Sequence, residues 1–213
     1  MSLTDWRLRK LRENGIDQFY YFSLLENLAS ILRQGIWPKN IVMQWEKRHG
    51  SFAEETVQEK RHNRTVDLSN GTSVTIHDLV PVYLTPRTPT LSVRRERQNE
   101  IFFLVIGSDI LGDESIEFAF TDGNAASRDT QFFKSLYKLA SLPWDVINSE
   151  YWTEFPDGRR RRNAEFLIYP YISPCYFKEL VVSNRHAYDI CSRQLTEIDL
   201  HLPLSIDQGF FFT

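Results

Sequence analysis

An acidic residue stands where a basic run meets an apolar one, in Arg159-Arg160-Arg161-Arg162-Asn163-Ala164-Glu165-Phe166-Leu167-Ile168. Ala164 and Phe166 make the surroundings of Glu165 partly apolar, and a carboxylate taken out of water needs a partner. Two readings fit: a catalytic carboxylate, or a structural ion pair with a neighbouring arginine. A second candidate is Arg87, set in Thr85-Pro86-Arg87-Thr88-Pro89. Prolines on both sides stiffen that turn. Its guanidinium carries five donors in a fixed fork, suited to a phosphate or a base edge; the alternative is a surface turn residue. Asn124, in Thr121-Asp122-Gly123-Asn124, is either a hydrogen-bond donor to a substrate or a plain helix cap.

Positive charge is clustered although the net charge is -3. Arg94, Arg95 and Arg97 form one group and Arg159 to Arg162 another, so a near-neutral total is compatible with a local basic groove. Solvated loop faces are the other reading. Aromatic residues make up 14% of the chain, enough to supply both a core and stacking platforms.

Other chemistries lack their signatures. The chain contains no G-x-G-x-x-G, Walker A or nucleophile-elbow sequence. Its five histidines, His49, His62, His77, His186 and His201, do not show metal-ligand spacing, and with two cysteines, Cys175 and Cys191, a structural zinc site is not expected. If the chain is an enzyme, it is expected to work without a metal and without a covalent serine or cysteine.

The elements that must position these residues follow from periodicity. Phe19 to Phe22 suits a buried strand. Ser23 and Glu26 read as a capping box for a helix running to a Gly35 C-cap. Residues 37–76 are polar and irregular, with part of Phe52 to Lys60 helical. Leu79 to Leu84 reads as a strand restricted by Pro81 to an edge or a bulge. Ile101 to Ile106 and Phe118 to Phe120 are further strands. A helix is expected after Asn124, burying Phe132, Phe133, Leu136 and Leu139. Trp144 to Arg162 is a long polar connection. Glu165 to Tyr171 and Glu179 to Ser183 read as strands, Arg185 to Leu195 as a helix, and Phe210 to Phe212 as a last strand. The pattern is α+β, not a βαβ alternation, in one domain spanning 1–213.

Several blocks resemble, in order, the motifs of the DarT family of DNA ADP-ribosyltransferase toxins. They are Tyr20-Tyr21-Phe22-Ser23 with Glu26-Asn27-Leu28 and Gly35; His77 through Arg87-Thr88-Pro89-Thr90-Leu91; Phe120-Thr121-Asp122-Gly123-Asn124-Ala125-Ala126; and Trp144 through Tyr151-Trp152 to Asn163-Ala164-Glu165-Phe166. The blocks cover about residues 19 to 183.

The resemblance implies an ADP-ribosyltransferase fold, a split pair of small, mostly antiparallel sheets with flanking helices around an NAD⁺ cleft. It implies that Glu165 is the catalytic glutamate and Arg87 a catalytic or NAD-positioning residue. Tyr21, Ser23 and Asn27 join Arg87 as NAD⁺ contacts. The loop Tyr151 to Arg162 corresponds to the substrate-recognition loop, making Tyr151, Arg159, Arg160, Arg162, Asn163 and Asn124 the DNA-facing set. Family members often carry His where this chain has Leu24, which leaves Ser23 as the better contact. Members that modify thymine often have His where this chain has Asn124, which tilts the acceptor toward guanine.

The implied reaction moves ADP-ribose from NAD⁺, a co-substrate, onto a base of single-stranded DNA, with no metal. A macrodomain-containing antitoxin is the implied partner. The competing readings are the same chemistry on RNA or a protein side chain, and a non-catalytic nucleic-acid-binding module. The charged segment Met1 to Lys10 has no apolar h-region. No stretch reaches the roughly 20 apolar residues that span a bilayer. A cytoplasmic protein without a membrane partner is expected.

Overall fold

A computed structural model describes residues 2–45 and 64–212. The expected helix within Phe52 to Lys60 lies outside the described residues, as do His49 and His62. The chain opens with α1 (Leu3–Glu13), whose Ser2 and Asp5 form a reciprocal capping box. Its Arg7 reaches across to the Ile116 carbonyl at 2.9 Å.

The main sheet runs in the order β10-β9-β5-β1-β4-β8-β6-β7. Its strands are β1 (Gln18–Leu24), β4 (Val80–Tyr83), β5 (Ile101–Gly107), β6 (Glu117–Thr121), β7 (Phe132–Phe133), β8 (Glu165–Tyr169), β9 (Phe177–Val182) and β10 (Leu204–Ile206). Neighbours are antiparallel except β9 and β10. A separate hairpin pairs β2 (Thr65–Asp67) with β3 (Ser73–Thr75). The main sheet divides into halves of four strands that meet at one register pair, Tyr20 with Tyr83. By contrast, β1 pairs with β5 along its whole length. The expected split therefore exists as a seam between β1 and β4. Pro81 lies in the strand bordering that seam. A residue without an N–H is tolerated there because the β1 side of β4 forms no continuous ladder.

Strand alternation sorts the interior into layers. On the back of the sheet one core runs under both halves. Phe19 of β1 lies 4.8 Å from Phe166 of β8, and Phe166 stacks on Phe120 at 5.0 Å. On the front there are two cores. Leu91, Ile101, Phe103, Val105, Val181, Phe211 and Phe212 cover the first half. Val66, Leu68, Ile76, Leu79, Ala119, Ala125 and Leu167 cover the second. These two front cores lie on either side of the seam. Every residue of β5 is buried because both faces are covered, which explains its unbroken apolar sequence.

Three local expectations need correction. Ser23 does not cap a helix: the chain passes through a 3-10 turn, Leu25–Asn27, into α2 (Leu28–Gln34). Gly35 ends α2 as expected, with a φ of 82°, where an added Cβ would sit 2.3 Å from the Ile172 carbonyl oxygen. No helix follows Asn124. Phe132 and Phe133 form β7, and Leu136–Ser141 is a 3-10 turn. Hydrogen bonds to the 125–130 carbonyls from Arg64, instead of a helical ladder, satisfy that loop. Gln208–Phe210 is a 3-10 turn, not a strand, and the added edge strand is β10.

Candidate active site

Glu165 opens β8 and is 1% exposed. Its backbone N–H donates to the Thr121 hydroxyl at 3.0 Å, and that hydroxyl donates to the Gly123 carbonyl at 2.7 Å. Its Oε1 accepts from the Ala125 N–H at 3.1 Å. The carboxylate is thus oriented by the Thr121–Ala125 turn. Arg64 holds the other side of that turn, donating to the carbonyls of Ala125 (3.2 Å), Ser127 and Thr130 (2.8 Å). Its guanidinium also lies 4.4 Å from the Phe132 ring centroid.

Register places Glu165 at the seam. It pairs with Tyr83, and Tyr83 pairs with Tyr20 across the join. Paired residues of an antiparallel ladder project to the same face, so Glu165, Tyr83 and Tyr20 share the front. Phe22 belongs there too, stacked on Tyr83 at 5.7 Å and 13°.

The same alternation places Tyr21 and Ser23 of the expected NAD⁺ set on the opposite face of β1. Tyr21 packs against the back core, and Ser23 follows it onto that face. Burial pushes the Tyr21 phenol above its ordinary range, with the Ser23 hydroxyl opposing in part. Asn27 donates to the Ser23 hydroxyl at 3.0 Å. Tyr21, Ser23 and Asn27 are therefore brought together with one another, not with the front face of Glu165. Alternation turns Tyr20, Phe22 and Leu24 forward instead. The forward face of Tyr20 and Phe22 was not legible in the sequence, because a side chain's face follows from strand register, which apolar runs do not specify.

Arg87 is brought to the front. Its carbonyl accepts from Arg162 Nε at 3.0 Å. Its guanidinium carbon lies 4.8 Å from the Phe212 ring centroid, and its Nε is buried with no hydrogen-bond partner. Asn163, 4% exposed, fixes the same turn to β8. Its Oδ1 accepts from the Thr90 N–H at 3.2 Å and hydroxyl at 2.9 Å, and its Nδ2 donates to the Arg159 carbonyl at 3.0 Å. Asn163 thus ties the Arg87 turn to Glu165.

The arginine run does not form one DNA-facing patch. Arg162 is 6% exposed and, besides Arg87, donates to the carbonyls of Val146 (3.1 Å), Ile147 and Ser149 (2.7 Å). Burial and the adjacent Arg87 charge bring its pKa down to about 10. Arg160 pairs with Asp122 at 2.8 Å and with Asp157. Arg161 pairs with Asp145 at 3.4 Å. Arg159 is exposed. Tyr151, earlier in the same segment, is 56% exposed, and the neighbouring Glu150 carboxylate holds its phenol up. Asn124 donates its backbone N–H to the Arg160 carbonyl at 2.9 Å, and its Oδ1 accepts from the Ala126 N–H at 2.9 Å. Among the described residues no group of three or more His, Cys, Asp or Glu could hold a metal ion. No described helix is long and apolar enough to cross a membrane.

A split α+β sheet with an acidic residue at its seam defines the class, an ADP-ribosyltransferase fold. Residues 20–212 match the family model described as "ssDNA thymidine ADP-ribosyltransferase, DarT", and the chain belongs to the DarT family. It is an NAD-dependent DNA ADP-ribosyltransferase. A curated "DNA ADP-ribosyl transferase" of Thermus sp. (strain 2.9) is 30% identical over 174 residues, 78% of this chain and 81% of the relative. The solved structure of "Thermus sp. 2.9 DarT in complex with ADP-ribosylated ssDNA" matches with a TM-score of 0.82 at 26% identity, covering 92% of this chain and 96% of that one. A "DNA ADP-ribosyl transferase-DNA ADP-ribosyl glycohydrolase fusion protein" of Thermosipho africanus is 26% identical over 199 residues, 92% of this chain and 49% of the fusion.

Proposed function

We propose that this enzyme transfers ADP-ribose from NAD⁺ to thymine in single-stranded DNA, with Glu165 as its catalytic carboxylate. The observation that carries the reading is the position of Glu165: at the seam, facing front, and oriented by the Ala125 N–H. In the reaction the bond between nicotinamide and ribose C1′ breaks, and nicotinamide leaves with the electron pair. Positive charge develops on the ribose. The acceptor atom of the base then bonds to C1′ and loses its proton. The Glu165 carboxylate hydrogen-bonds a ribose hydroxyl and opposes the developing charge, the kind of preorganised electrostatics that usually supplies the largest catalytic term. Arg87 supplies the positive counterpart, its forked donors suited to the phosphates of NAD⁺.

The acceptor choice rests on the description of the matching family model. Guanine is the second reading, and Asn124 favours it. That preference comes from Asn124 standing where thymine-modifying members often carry His; its side-chain amide, with Oδ1 accepting from the Ala126 N–H, can donate to a carbonyl of either base. Arg159 and Tyr151 are the proposed contacts to the strand, through a phosphate and a stacked base. Arg160, Arg162 and Asn163 serve that loop by holding its shape. A DNA substrate agrees with the expected cytoplasmic location. A modification of this kind calls for a partner that removes it, and the Thermosipho fusion, which joins both activities in name, supports a macrodomain antitoxin here.

The test is incubation of the purified protein with NAD⁺ and oligonucleotides, read by mass spectrometry with fragmentation. ADP-ribose is expected on thymine of a mixed-sequence single strand. The duplex should react far less, because a paired base hides its edge. An adduct on guanine would replace the acceptor. Modification confined to RNA or protein, or none on any strand, would overturn the reading.

A further inference from the structure

The structure assigns Phe212 as a positioning residue for Arg87, an inference that rests on the proposed role of Arg87. Phe212 is 9% exposed and belongs to the front core. Its backbone is held from both sides by one buried amide: Gln98 Oε1 accepts from the Phe212 N–H at 2.7 Å, and Gln98 Nε2 donates to the Phe212 carbonyl at 3.0 Å. Its ring meets the edge of Trp152 at 5.5 Å and 87°. A ring fixed this way is a rigid surface, and two cations lie within reach of it. The guanidinium carbons of Arg87 and Arg95 are 4.8 Å and 5.4 Å from its centroid.

The chemistry of this contact suits a residue that must bind an anion in turn. Among the described residues Arg87 makes no ion pair with a carboxylate. A carboxylate would neutralise the guanidinium and occupy its donors. An aromatic face attracts the same charge through its quadrupole and consumes none of the N–H groups. With its carbonyl pinned by Arg162 and its head held by Phe212, Arg87 keeps its fork directed while its Nε stays without a partner. Trp152, on the loop proposed to meet DNA, packs on the same ring, so one side chain joins that loop to the arginine.

The contact is electrostatic, so it can be weakened without changing shape. Phe212 is replaced site-specifically by mono-, di- and trifluorophenylalanine, which drain the ring face stepwise, and kcat/KM for NAD⁺ is measured with saturating single-stranded DNA. The logarithm of kcat/KM should fall steadily along the series, to a total loss of about tenfold. Phe212→Tyr should retain activity within about threefold. In an Arg87→Met background the series should be flat, because the partner is gone. A flat series in the native background, with Arg87→Met strongly impaired, overturns the role of Phe212 alone. If Arg87→Met itself retains native kcat/KM, the reading of Arg87 falls and takes this inference with it. A series equally steep in both backgrounds also overturns it, since the ring would then act only through packing.

Discussion

Replacing Glu165 with Gln lowers kcat for ADP-ribose transfer by about 10²–10³-fold, an effect of the size seen when one preorganised electrostatic partner is removed. The substitution isolates charge from shape. The amide keeps an oxygen to accept the Ala125 N–H, and the backbone bond to Thr121 is untouched. With the site buried to 1% exposure, no solvent replaces the missing charge. The interaction lost belongs to the transition state, where the ribose is cationic, so kcat and kcat/KM fall together while the KM for NAD⁺ changes little. Steady-state release of nicotinamide checks this. A variant that keeps native kcat, or one that loses only NAD⁺ affinity, would show that Glu165 is a structural carboxylate.

Arg162→Met has the largest expected effect on stability. One guanidinium satisfies the carbonyls of Arg87, Val146, Ile147 and Ser149. Methionine fills much of the volume but takes this donor from the carbonyls of Arg87, Ile147 and Ser149, while Val146 keeps the Ser149 N–H and hydroxyl. Stranded buried polar groups cost about 1–3 kcal/mol each. With partial relaxation and entry of water, the net loss should be about 4 kcal/mol. For a chain of this size that lowers the midpoint of thermal unfolding by about 8–16 °C. Lysine should rescue little, because a point charge cannot reproduce the fork. Activity falls as well, since Arg162 carries the Arg87 turn. A midpoint within about 2 °C of the parent, measured by calorimetry, would remove this account of the arginine run.

The site was legible where residue type announced it. Glu165 at the junction of a basic and an apolar run, and Arg87 between prolines, stand out as candidates from their neighbours, because desolvated charge and fixed φ are local properties, and the family resemblance selects the catalytic reading. The strand centres were legible for the same reason: Ile101 to Ile106 reads as buried because it is buried on both faces. What failed depended on distant partners. The direction of Arg160 and Arg162 is set by Asp122 and by carbonyls of the 146–149 segment, so four consecutive arginines looked like a patch. The face that Tyr21 and Ser23 present is decided by the register of β1 against β5, which their own neighbours do not reveal. The helix expected after Asn124 is replaced by a loop whose carbonyls bond Arg64, about 60 residues earlier. Phe210 to Phe212 looked like a strand, but the Gln98 side chain takes the hydrogen bonds of Phe212 that a neighbouring strand would have made.

The central claim is geometric: the Glu165 carboxylate faces the sugar from which nicotinamide departs. A crystal structure of the enzyme with a non-hydrolysable NAD⁺ analogue measures this directly. It should place a Glu165 carboxylate oxygen within about 3 Å of a hydroxyl on the nicotinamide ribose, a normal hydrogen-bond distance. The analogue bound away from the seam, or seated there with its ribose out of reach of Glu165, would contradict the account.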